Sequence, residues 1–134
     1  MLLIALSCRV QAIPDGTYFK DINHLFDKYV DTWKGVYNNR EYIFYITKHT
    51  DTYYKFSQDE ILVRYLIANP DGSIVEDMRN IPDDDEELLI SGDMFNKNAN
   101  YYYMIYTGRE AACGQSGTLV LRPKSATQIC MSLI

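Results

Sequence analysis

The sequence predicts a mostly β protein, an antiparallel up-and-down β-barrel preceded by one short helix. Three observations carry this. From residue 40 onward, short runs rich in β-branched and aromatic residues follow one another, separated by turn signals. No Gly-rich phosphate loop and no alternating strand–helix rhythm is present, which excludes the doubly wound α/β class. One stretch alone, before those runs, carries apolar residues at a helical period.

The chain opens on "MLLIALSCRVQA", a short apolar run with Val10 and Ala12 at the −3 and −1 positions of a signal-peptidase site. Residues 1–12 therefore read as a signal-peptide-like segment, although a basic start is missing; the alternative is a buried first strand. The run is too short to span a bilayer. Residues 13–134 then form a single domain. Asp21 is placed to cap a helix over 21–34, with Ile22, Leu25, Phe26, Tyr29, Val30 and Trp33 on its apolar stripe and Gly35 as its stop. Trp33 is expected at the helix–strand junction, closing the bottom of the barrel. "REYIFYIT" opens the strands, and "TYYKFS" continues across a short turn. "EILVRYLIA", the turn "NPDG" and "SIVEDMRNI" predict a hairpin over 61–79. "PDDDEE" is an acidic connector, read as a solvated turn because it lacks the spacing and Gly of an EF-hand loop. "LLISGDMF", "NYYYMIYT", "GTLVLRP" and "ICMSLI" supply the remaining strands.

Composition narrows the function classes. The 134 residues carry a formal net charge of −5 and no cluster of Lys and Arg, which argues against nucleic-acid binding. His24 and His49 lie on separate segments, and no paired-cysteine metal spacing occurs, so neither a metal nor another cofactor is expected. No Ser sits in a nucleophile elbow, and nothing marks an enzyme. Of three cysteines, Cys8 falls in the leader-like segment; Cys113 and Cys130 remain, and a secreted setting favours their pairing.

The tyrosines are the unusual feature, 12 in all. A barrel of about eight strands encloses side chains or one small ligand. Along "YYYMIY", alternation puts Tyr101, Tyr103 and Ile105 on one face and Tyr102, Met104 and Tyr106 on the other. The second set, with Phe44 and Arg64, is the candidate ligand-binding set, the first being assigned to packing beneath the helix. The competing reading is plain core on both faces, with Arg64 laying its stem over the apolar surface at a strand edge.

Two stretches, "DKYVDTWKGVYNNREYIFYIT" and "NYYYMIYTGREAACGQSGTLVLRPKSATQICMSLI", resemble the arthropod salivary lipocalins, those of ticks especially. The resemblance lies in a Trp-Lys pair before an aromatic strand, then an aromatic strand, a cysteine in a turn, a Val-Leu-Arg-like strand and a second cysteine. It implies a secreted, extracellular, lipocalin-like carrier that sequesters a small hydrophobic or amphipathic mediator, a lipid or a biogenic amine, and modulates host defence. Departures accompany it. The family's cysteine after its first aromatic strand is missing from 48–62, and the chain stops at Ile134, where the family continues with a strand, a helix and further cysteines. A Cys113–Cys130 bond is thus one option, the other being that each awaits a missing partner. Gly114 and the Met131-Ser132-Leu133 run stand where the amine-binding branch carries its acidic signature, which weakens the amine half of the expectation. The partners implied are a small mediator and, secondarily, a host protein, for a monomer without a membrane span. The alternative function is a secreted protein-binding module with no small-molecule ligand.

Overall fold

The structure is a computed structural model that describes residues 14–52, 54–85, 88, 90–108 and 116–133. Its strands are β1 (Thr17–Phe19), β2 (Thr32–Tyr37), β3 (Arg40–Thr52), β4 (Phe56–Ala68), β5 (Ile74–Asp77), β6 (Ile90–Phe95), β7 (Tyr102–Thr107), β8 (Ser116–Ser125) and β9 (Gln128–Leu133). They form one curled, half-barrel sheet in the order β2-β3-β4-β6-β7-β8-β9. β1 joins β4 in parallel and β5 joins it antiparallel. The remaining pairings are antiparallel, as the sequence predicts. Among the described residues no helix is long and apolar enough to cross a membrane.

The longest ladder joins β3 to β4, running from Glu41↔Ala68 to Thr52↔Ser57. Both strands are β-branched and aromatic, and both turn one face inward. From β3 come Phe44 and Ile46, from β4 Ile61, Val63 and Tyr65, from β7 Tyr102 and Met104, and from β8 Leu119 and Leu121. "NPDG" makes the predicted turn into β5: the Gly72 amide donates to the Asn69 carbonyl at 2.9 Å, and Gly72 takes φ +87°, which a side chain would resist.

The helix expected over 21–34 is not formed. Residues 22–29 are mostly in turns, and β2 already begins at Thr32. His24 sits at φ +53°, which interrupts a right-handed helix. The apolar stripe is used only in part: Phe26 and Tyr29 are buried in the core, whereas Ile22 is exposed. Asp21 still acts as a cap, its carboxylate accepting the Leu25 and Phe26 amides at 2.8 and 3.2 Å. Trp33 lies in β2 opposite Phe44, half-buried, and its indole Nε1 donates to the Tyr29 carbonyl at 2.8 Å. It therefore ties the turn segment to the sheet from a strand, not from a helix end.

Tyr29 is fully buried, and among the described residues its hydroxyl has no hydrogen-bond partner. Burial pushes its ionisation up to about 12. Tyr29→Phe keeps the ring and removes the unpaired group, so it is expected to stabilise the fold by about 1 kcal/mol. A urea midpoint lowered by this substitution would show that the hydroxyl is satisfied in solution.

Candidate functional site

The sheet is split between β4 and β6. Only Leu62↔Ser91 pairs the two strands, whereas β6 is paired with β7 from Ile90↔Tyr106 to Phe95↔Tyr102. β1 occupies β4 over Phe56–Gln58, so the two strands part beside Asp59 and Glu60. A cavity of about 860 Å³ lies at this split. Its lining includes Asp59 and Glu60, neighbours on opposite faces of β4. The volume falls within the range of small-molecule sites.

One wall is aromatic. Phe26, Phe95 and Tyr102 pack together with ring centroids 4.8 to 5.1 Å apart, and Phe56, edge-on to Phe19, also lines the cavity. Gly92 makes room for this group. A Cβ on it would overlap the Tyr102 hydroxyl and lie 2.9 Å from Tyr102 Cζ and 3.0 Å from the Ile61 carbonyl oxygen. Gly92→Ala is therefore expected to cost about 2 kcal/mol through overpacking. Tyr102→Phe in the same chain should recover part of that loss in the urea midpoint; no recovery would place the clash elsewhere.

The lining is also acidic, with Asp51, Asp59, Glu60, Asp83, Asp84, Asp85 and Asp93. Most of the buried charge has a structural task. Asp59 accepts from Tyr18 Oη at 2.5 Å, Thr50 Oγ1 at 2.7 Å and the Asp21 amide at 2.9 Å, with Lys48 Nζ at 3.9 Å. Lys48 bridges onward to Asp21 at 3.1 Å. Desolvation alone would raise both carboxyls, but these hydrogen bonds and the ammonium hold Asp21 and Asp59 below the ordinary value. Asp83 is likewise engaged, gripped by Arg64 at 2.5 Å and by His49 at 3.3 Å.

Glu60 differs. It is only 4% exposed, and among the described residues its carboxyl has neither a hydrogen-bond donor nor a counter-ion. Burial first, and then the Asp51 charge, push it up to about 7. No group of His, Cys, Asp and Glu suited to a metal ion occurs among the described residues.

A second, smaller cavity of about 240 Å³ lies on the inner face, lined by Phe44, Tyr65, Ile67, Tyr106, Leu119 and Met131 among others. The expected ligand set is divided between the two. Phe44 and Tyr106 line the small apolar cavity, Tyr102 lines the large one, and Met104 is fully buried core between strands. The face choice on β7 agrees with burial: Tyr102 and Met104 are buried, while Tyr101 and Ile105 are exposed. Arg64 joins neither cavity. It lies on the opposite face of β4 from Tyr65, donating through Nε to the Ile81 carbonyl at 2.7 Å and through its guanidinium to Asp83. Its partner is the acidic connector, which is thereby tied to β4 through Asp83 and the Ile81 carbonyl. Cys113 lies outside the described residues. Cys130, on β9, is a free thiol close to Ser132 and to Arg122, whose contacts lower its ionisation.

No protein-family model, curated protein or solved structure matches the chain.

Proposed function

We propose that this chain is a non-catalytic carrier that sequesters one small amphipathic molecule in the cavity at the β4–β6 split. The observation that carries the reading is that cavity: about 860 Å³, lined by packed aromatic rings and by a buried Glu60 that has no partner among the described residues. A core that serves only stability fills such space and pairs such a group. On this reading the curled sheet is a lipocalin-like barrel acting outside the cell, after loss of residues 1–12, as a salivary modulator of host defence. The small inner cavity, almost wholly apolar, would take the tail of a longer ligand.

The protein-binding alternative draws on edge strand β2, where Val36 and Tyr37 are 76% and 68% exposed. Native mass spectrometry of the protein, incubated with a lipid extract and separately with a mixture of small amines, separates the two. A retained small molecule at one per chain is the expected result. Bare protein from both mixtures would overturn the carrier.

A further inference from the structure

We propose that two copies of this chain join their β2 strands antiparallel, about a two-fold axis at Gly35, into one continuous sheet. The pairing is independent of the cavity and goes beyond the carrier reading; it stands against the monomer that the family resemblance implies. β2 ends the strand order and pairs only with β3, so its outer row of amides and carbonyls has no strand partner among the described residues. Its register is unbroken from Thr32↔Tyr45 to Tyr37↔Arg40. Val36 and Tyr37 stand 76% and 68% exposed on its opposite faces. Gly35, between them and Trp33, has no reason inside its own chain. A glycine weakens a strand interior unless a bulge, a special φ or a close neighbour requires it. Here the ladder has no bulge and φ is not left-handed. An added Cβ would meet nothing within 4 Å, so Tyr42, directly across on β3, does not cover the position. The hollow over Gly35 is open to a second molecule.

The side chains of β2 select a second copy, in one register. With Gly35 facing the partner's Gly35, Trp33 faces the partner's Tyr37 and Lys34 faces the partner's Val36, each twice by symmetry. Trp33 and Tyr37 lie on the face of the sheet that carries Phe44 and Tyr42. Aromatic rings then flank the glycine pair on both sides, and rings of this size reach diagonally across a strand to cover a glycine. On the other face Lys34 lies over the partner's Val36, whose neighbour on β3 is Glu41. Lys34 and Glu41 are both exposed and make no ion pair among the described residues. In the pair they stand two strands apart, about 10 Å between backbones, which two extended side chains span. Competing registers are poorer. A centre at Lys34 sets lysine against lysine, and a centre at Val36 sets Trp33 against the turn residue Asn39. A shift by one residue brings the core face of one copy level with the solvent face of the other. Such a contact closes at two copies, whereas joining β2 to the far edge β9 would add copies without end.

Sedimentation velocity of the purified chain, from about 1 to about 200 μM, decides it. A monomer–dimer equilibrium with a Kd of about 10 μM is expected, as suits a contact smaller than a standard interface. Lys34→Glu and Glu41→Lys should each weaken the dimer about tenfold, because each variant's own pair sets like charges together. An equimolar mixture of the two should restore it to within about threefold of the wild type, since both contacts of the mixed pair again join opposite charges. Gly35→Val should also weaken the dimer about tenfold, by filling the hollow meant for the partner's rings. Its urea midpoint should not fall, because valine suits a strand better than glycine. A monomer at every concentration would overturn the pairing and leave β2 to the protein-binding alternative. A dimer that ignores the charge variants, or that the mixture fails to restore, would place the contact elsewhere and overturn it too. Growth beyond two copies would mean joining through β9 and would overturn the two-fold. A lowered midpoint for Gly35→Val would show that the glycine serves its own chain, removing the axis. None of these results bears on the carrier, which stands or falls with the native spectrum.

Discussion

Asp59→Ala is expected to be strongly destabilising, lowering the unfolding free energy by about 4 kcal/mol. Its carboxylate gathers Tyr18, Thr50 and the Asp21 amide, with Lys48 alongside. These groups come from β1, β3 and the turn segment. β1 is only three residues long and meets β4 at three positions, so its ladder alone is a weak anchor for residues 17–31. Removing the carboxylate strands a part-buried amide and weakens the turn segment that carries Phe26 and Tyr29 into the core. Asp59→Asn retains an acceptor and should cost roughly half as much, for the same reason. Urea titration checks both; an Ala midpoint within error of the wild type would mean the turn segment is held by its apolar contacts alone. Acid should act in the same direction. Asp21 and Asp59 are held below the ordinary carboxyl value of 3.8, so their stabilisation is complete above it and is lost as pH falls through their folded values.

The strands were legible for a local reason. Period-2 alternation in "REYIFYIT", "EILVRYLIA" and "YYYMIY" and the "NPDG" turn are properties of adjacent residues, and they mark β3, β4, β7 and the turn into β5. The missing helix shows where local reading fails. Its stripe has the right spacing, but Asp59, far along the chain, captures the Asp21 amide and Lys48 captures the Asp21 side chain. Those long-range bonds fix the chain in turns that no window over 21–34 contains. β1 is too short to show any pattern, and β2 was hidden inside the helical stripe. On β7 alternation separates Tyr102 and Met104 from Tyr101 and Ile105, as burial does, but it does not say which face is inward. Arg64 drew attention as a charge among apolar neighbours, although Glu60 shares its face, four residues earlier, and is the one buried without a partner among the described residues. At the edge of the run and beside "SQD", Glu60 reads as solvated. Only the split between β4 and β6 buries it without a partner, and a split in a sheet leaves no mark in either strand.

Glu60 is also expected to bend the stability profile against pH. Burial, then Asp51, raise its carboxyl from the ordinary 4.5 to about 7 in the folded chain. Between those values the folded state holds a proton that the unfolded chain has released. The folded state therefore binds more protons, and stability falls as pH rises through this window. The loss amounts to at most about 3 kcal/mol, complete above pH 7 and absent below about pH 4.5. Asp21 and Asp59 act in the opposite sense below 3.8, so the empty protein should be most stable near pH 4.5 and weaker at pH 8. Glu60→Gln carries no charge to desolvate. It should be nearly neutral at pH 4.5 and should raise stability at pH 8 by about the amount the wild type loses. Urea midpoints of the two chains at pH 4.5, 6 and 8 test this directly. Parallel profiles would mean that Glu60 is hydrated or paired in solution, which would remove the pH effect.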